Sequence, residues 1–208
     1  MSDAADPDYD RHGGFPRYEI ARPSAGFARF VEAARRLQDL AVSANPSDDV
    51  WDAAATRIEE LVDLLDPYEA GERVGPAGRA PDLPGMGSLL MPPWSLTEYG
   101  PAGVAMKGQF TRFHVGGNMA VHGGVLPLLF DSVFGMVVHA AHRPISRTAF
   151  LHVDYRKVTP INTPLTVRGR VTSEQGRKAF VAAELTDPDG TVLAEAHGLM
   201  LKLLPGQP

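Results

Sequence analysis

His122-Gly-Gly-Val-Leu-Pro-Leu-Leu-Phe-Asp131-Ser-Val-Phe-Gly-Met-Val-Val-His-Ala-Ala141 is the stretch on which the fold turns. Wound as a helix it is apolar on nearly all sides, so it has to be covered on nearly all sides. Asp131 is the one fixed charge between Arg112 and Arg143. An ionised carboxylate in an apolar setting is costly, so it serves either as a structural ion-pair partner or in a site. Gly123-Gly124 precedes the helix and Pro127 falls just inside it, where proline is tolerated. The glycines either permit a tight entry or leave backbone N–H groups open to a developing negative charge.

The flanking grammar is that of strands. Downstream, Ala149, Leu151, Val153 and Tyr155 alternate with Thr148, Phe150, His152 and Asp154. Residues 165–174 alternate again. Gln175-Gly176 turns the chain into 178–186, and Asp187-Pro-Asp-Gly190 turns it into 191–204. Upstream, 88–99 carries Pro92-Pro93 and reads as an edge or bulged strand, followed by a turn at 100–103 and a strand over 104–113. Two strands, one apolar helix and four strands give an α+β fold, an antiparallel sheet curled around a central helix. An oligomer interface would cover whatever the sheet leaves open.

Before this domain, placed at 88–204, the chain changes character. Residues 1–23 are polar and aperiodic, a loose tail. Phe27, Phe30, Val31, Ala34, Leu37 and Leu40 repeat at helical spacing. Ser47, Asp48 and Asp49 then open a second helix with the stripe Trp51, Ala54, Ala55, Ile58, Leu61, Val62 and Leu65. The two are expected to form a helical hairpin over 24–66. It would pack on the core and shape the substrate tunnel. Residues 67–87 are rich in Gly and Pro and read as a linker.

The net charge is −5 without a basic block, so nucleic acid and anionic membrane surfaces are poor partners. The absence of cysteine excludes disulfides, thiolate metal sites and a cysteine nucleophile. The acidic start does not resemble a secretory signal, and no uninterrupted apolar run spans a membrane, so a cytoplasmic protein is expected. P-loop, dinucleotide, zinc-protease and Gly-x-Ser-x-Gly motifs are missing. His139 and His142 have no carboxylate beside them and read as solvent-facing or interface residues, leaving no metal site expected.

Spacing adds a constraint. Gly123 and Asp131 are eight residues apart, which at helical rise is roughly 12 Å. One carbonyl cannot touch both. Acting together, they must come from two antiparallel copies of the helix.

The order His122-Gly123-Gly124-x6-Asp131 resembles the PaaI-like branch of hotdog-fold acyl-CoA thioesterases, in the 4-hydroxybenzoyl-CoA thioesterase superfamily. Residues 148–155 and 160–165 are similar to that family's strand after the helix and its following turn. The resemblance implies a hotdog fold, no cofactor, an acyl-CoA substrate, and a homodimer or homotetramer. It implies that Asp131 activates water or attacks the thioester, and that Gly123 or Gly124 N–H of the other subunit polarises the carbonyl. Thr148 would position the attacking water, and His122 and Asn118 would shape the site. Arg147, Arg156 and Lys157 are candidates to meet coenzyme A phosphates, or an ordinary solvated rim. A hotdog hydratase or dehydratase and a non-catalytic acyl-CoA binding module are the alternatives.

Overall fold

The structure is a computed structural model that describes residues 19–71 and 74–204. Eight strands follow in chain order: β1 (Ser95–Gly100), β2 (Gly103–Gly108), β3 (Val115–Gly117), β4 (Ala120–Val121), β5 (Ser146–Tyr155), β6 (Leu165–Gln175), β7 (Lys178–Thr186) and β8 (Val192–Lys202). Helices α1 (Ala25–Ala41) and α2 (Asp48–Leu65) precede them, and α3 (Val125–Ala140) stands between β4 and β5. Six strands form one antiparallel sheet in the order β1-β2-β6-β7-β8-β5, while β3 and β4 pair separately. Among the described residues no helix is long and apolar enough to cross a membrane.

The curled sheet and central helix are as expected. α3 packs on β2, β5, β6, β7 and β8. Leu126, Leu129, Phe130, Val133, Phe134 and Val137 are buried against Val167, Val181, Leu185, Ala196 and Met200. At Gly169 on β6 a Cβ would stand 2.6 Å from Val133 and 2.9 Å from Val137, so glycine is what lets helix and sheet close up. Pro127 sits at the third helical position, where its missing N–H breaks no ladder.

The strand boundaries differ from expectation at two places. The strand expected over 88–99 is a ladder only from Ser95, because Pro92 and Pro93 have no N–H to donate. What remains is an edge strand with an irregularity between Leu96 and Glu98. The strand expected over 104–113 ends at Gly108, where the Trp94 ring lies within 2.6 Å of the position a Cβ would take. The short β3–β4 hairpin was not anticipated. It is built on consecutive left-handed residues, Asn118 (φ 47°) and Met119 (φ 60°), the backbone that tight hairpins demand.

Both N-terminal helices form where the apolar stripes place them, but they do not lie along each other. α1 packs on the turn Arg112–His114, with Asp39 accepting a hydrogen bond from the Phe113 N–H at 2.9 Å. Among the described residues α2 packs chiefly on the turn Asp66–Tyr68 that follows it and buries none of its residues. The Gly/Pro-rich stretch is tied to α1 through Arg35, which donates to the carbonyls of Pro84, Ser88 and Met91. Gly85 there is left-handed, and a Cβ on it would come 2.6 Å from Arg35 and 2.8 Å from the Pro92 carbonyl. Burial pulls the Arg35 guanidinium below its ordinary range. The loose tail expected over 1–23 falls mostly outside the described residues. From 19 onward the chain is held, with Ala21 N–H on the Arg79 carbonyl and Arg79 reaching the Glu19 carbonyl.

Candidate functional site

α3 turns its apolar residues to the sheet and leaves one line uncovered, Asp131, Gly135 and His139, each four residues from the last. That corrects the expectation of a carboxylate in an apolar setting. Asp131 is exposed within this chain, because its apolar neighbours point the other way. The Thr148 hydroxyl donates to Asp131 Oδ1 at 2.6 Å. Thr148 reaches it from β5, where the ladder with β8 slips between Thr148 and Phe150 and changes the side that successive residues face. It also lies 3.4 Å from the Met200 sulfur. His139 contacts the Tyr99 hydroxyl through Nδ1. His142 is a left-handed turn residue, and among the described residues no three His, Asp or Glu side chains are grouped to hold a metal.

The other half of the motif is a tight entry to α3. The Gly124 N–H donates to His122 Nδ1 at 3.0 Å, and the Val125 N–H donates to the His122 carbonyl at 2.9 Å. The Gly123 carbonyl accepts from the Tyr155 hydroxyl at 2.8 Å. The Gly123–Gly124 peptide is therefore gripped at both ends, by an imidazole and by a phenol. Tyr155 was missed as a site residue; an aromatic hydroxyl ending the strand that begins near Thr148 was the available signal. Beneath this loop His114 is buried, and its carbonyl accepts from the His122 N–H at 2.8 Å. Its Nδ1 accepts from the Thr111 N–H at 3.0 Å. Burial pushes the His114 imidazole below its ordinary range, against an opposing pull from the Thr111 backbone and Asp39.

The remaining candidates are placed less closely. Asn118 is the exposed tip of the β3–β4 hairpin, and no hydrogen bond joins it to Asp131, Thr148 or the glycines. Arg156 is taken away from the rim. It pairs with Glu195 at 2.6 Å and Asp154 at 3.5 Å, which raises its pKa, on the face of the sheet opposite α3. Arg147 pairs in register with Leu201 and points to that same outer face, away from Thr148. Lys157 is exposed in the loop after β5. A shallow concavity on the outer face, lined by Glu98, Arg168, Arg170, Glu184 and His197, is likewise on the far side of the sheet from Asp131.

Within one chain, the acid with its hydroxyl and the glycine loop stand at separate places along α3. At helical rise eight residues span roughly 12 Å, and no side chain of the same chain bridges them.

Comparison with known proteins agrees with the fold. Residues 118–194 match the family model of the thioesterase superfamily. Acyl-coenzyme A thioesterase THEM4 of Rattus norvegicus is 34% identical over 89 residues, covering 42% of this chain and 38% of that protein. The chain thus spans about two fifths of the length of the curated relatives it matches. A crystal structure of a thioesterase superfamily protein superposes with a TM-score of 0.76 at 26% identity, over 88% of this chain and 98% of its own. A hypothetical thioesterase protein of Streptococcus pneumoniae, solved with coenzyme A, shares the fold at 18% identity and a TM-score of 0.50, over 52% of this chain and 86% of its own. Residues 118–194 are similar to the thioesterase superfamily, and the domain that carries them has the hotdog fold.

Proposed function

We propose that this protein hydrolyses an acyl-CoA thioester to a carboxylate and free coenzyme A, as a dimer in which each site draws on two chains. The observation that carries the reading is the exposed Asp131 carboxylate held by the Thr148 hydroxyl on the uncovered line of α3. A carboxylate left open to solvent on an otherwise apolar helix is available to a substrate. The hydroxyl on Oδ1 fixes its orientation while leaving Oδ2 for chemistry.

In the general-base route Asp131 takes a proton from water, whose oxygen adds to the thioester carbonyl. The tetrahedral intermediate collapses, the carbon–sulfur bond breaks, and the proton passes to the departing thiolate. In the alternative route Asp131 itself adds, the thiolate leaves, and water hydrolyses the mixed anhydride. Either intermediate carries an oxyanion that needs a donor. Asp131 and its own glycines are too far apart to share one carbonyl, so the donor comes from a second copy of the loop. Gly123 N–H is the first choice, because the Gly124 N–H donates to His122 Nδ1. Gly124 serves only if that ring turns away. No metal or organic cofactor enters this scheme. Of the three cations, Lys157 is the better placed for a coenzyme A phosphate, since Arg156 is already paired with Glu195. Coenzyme A bound in the Streptococcus pneumoniae neighbour supports that substrate class.

Thiol release from a panel of acyl-CoAs tests the proposal, and the absence of cysteine removes background from the protein. Asp131→Asn is expected to lower kcat by about 10²–10⁴-fold, the range of a lost general base. Release unchanged by the substitution would remove Asp131 from the mechanism. Wild-type binding without release across the panel would favour a binding module.

A further inference from the structure

α2 is a finished amphipathic helix that buries none of its residues against the rest of the described chain. Its stripe of Trp51, Ile58, Leu61, Val62 and Leu65 is between 38% and 57% exposed, and none of its residues is buried. A helix of this length draws most of its stability from packing an apolar face. The polar residues are asymmetric as well. At 100° per residue, Asp48, Asp52, Glu59 and Asp63 form an acidic rail along one edge of the stripe, and Arg57 lies along the other. An anionic membrane would be repelled by six carboxylates set against one guanidinium.

The outer face of the sheet has the complementary order. Register across β5, β8 and β7 lines up Phe150, Leu199 and Phe180 as an apolar row. One row away stand Arg147 and Lys178, either side of Leu201. On the opposite side come the stacked rings of His152 and His197, and beyond them the carboxylates Asp154, Glu195 and Glu184, interleaved with Arg156 and Arg168. Neither α1 nor α2 packs along this face. The two cations and the apolar row therefore lie side by side as the acidic rail and the apolar stripe do on α2. The domain of 88–204 carries eleven Lys and Arg against eight Asp and Glu, so the acidic helix and the body also attract overall.

We infer that α2 is an arm that docks on the outer sheet face of a second copy of this chain. Its stripe covers Phe150, Leu199 and Phe180 of the partner subunit. Its acidic rail faces Arg147 and Lys178 of the partner subunit. The contact is distinct from the α3 face used in the thioester reading and does not depend on it.

Cross-linking tests this directly. Two differently tagged chains are co-expressed, one carrying Ala55→Cys on α2 and the other Ala182→Cys on β7, and treated with a bifunctional maleimide. A covalent pair containing both tags is expected, and no such pair when the second cysteine is Asp189→Cys on the far turn. Trp51→Ala should raise the concentration for half-maximal pairing by about thirtyfold, as for a central aromatic anchor. Lys178→Glu should weaken the pair and Glu59→Lys should restore it. Intact emission from buried Trp94 checks that each variant is folded. Absence of the mixed pair from folded chains would overturn the proposal. So would cross-linking only within a single chain that bears both cysteines, or a Lys178→Glu defect that Glu59→Lys deepens.

Discussion

α2 and α3 are similar in length and both are rich in apolar residues, yet they meet the rest of the chain in opposite ways. α3 buries eight side chains and opens one line of three residues, and that line holds Asp131. α2 buries none, and its one apolar line is the part left open. In α3 the exposed line carries the proposed chemistry and the buried remainder is the scaffold. In α2 the exposed line is the proposed docking surface, and the described residues supply no counterpart. An apolar residue therefore means something different on each helix, and substitution can read the difference.

The largest effect is expected where that contrast is sharpest. Phe134→Ala removes a ring with no exposed surface from between α3 and β8 and should cost about 3–5 kcal/mol of unfolding free energy. Val62→Ala on α2, measured in dilute solution where chains are not paired, should stay within about 0.5 kcal/mol of wild type. Urea unfolding of the two variants at matched low concentration checks both values. A Val62→Ala loss as large as that of Phe134→Ala would mean that α2 packs on its own chain and would end the comparison.

The sequence made α3 legible because its period was nearly absent: a helix apolar all round has only one possible environment. Strands β6, β7 and β8 were legible for the related reason that tight turns pin their register. Two kinds of information were hidden. One was backbone-level, as at Asn118 and Met119, whose left-handed geometry makes a hairpin that residue type alone only weakly suggests. The other was tertiary. Arg156 looked like a rim cation in one dimension, and only the register of β5 on β8 sets it against Glu195. The register slip between Thr148 and Phe150 leaves Thr148 on the side of Asp131 while Phe150 goes to the other face. Alternation alone would have set those two on one side.

A middle-sized effect sharpens the functional side of the comparison. Tyr155 touches the Gly123 carbonyl and stands at the entry of α3. It holds the carbonyl of Gly123, the residue whose N–H would supply the oxyanion donor, so it is a positioning residue. Tyr155→Phe keeps the ring and removes one hydrogen bond. About tenfold in kcat with an unchanged KM is expected, equal to the roughly 1–1.5 kcal/mol such a bond contributes. A rise in KM at constant kcat would instead make Tyr155 a substrate contact. A change in thermal stability with unaltered kinetics would make it purely structural.

The smallest effect concerns what lies under the glycine loop. Burial holds the His114 imidazole neutral, with its Nδ1 accepting from Thr111 and its carbonyl supporting His122. Its folded pKa lies below the unfolded one, so on acidification the unfolded chain takes up this proton first. The contribution to stability is full above the ordinary imidazole range and is lost as pH falls through it toward the lowered folded value. His114→Gln should flatten that part of the stability profile while costing something at neutral pH, because a buried acceptor has been replaced. α2 carries no histidine, so deleting it should leave the slope of a dilute sample untouched. A slope that vanished with α2 rather than with His114 would place the titrating contact between the arm and the body.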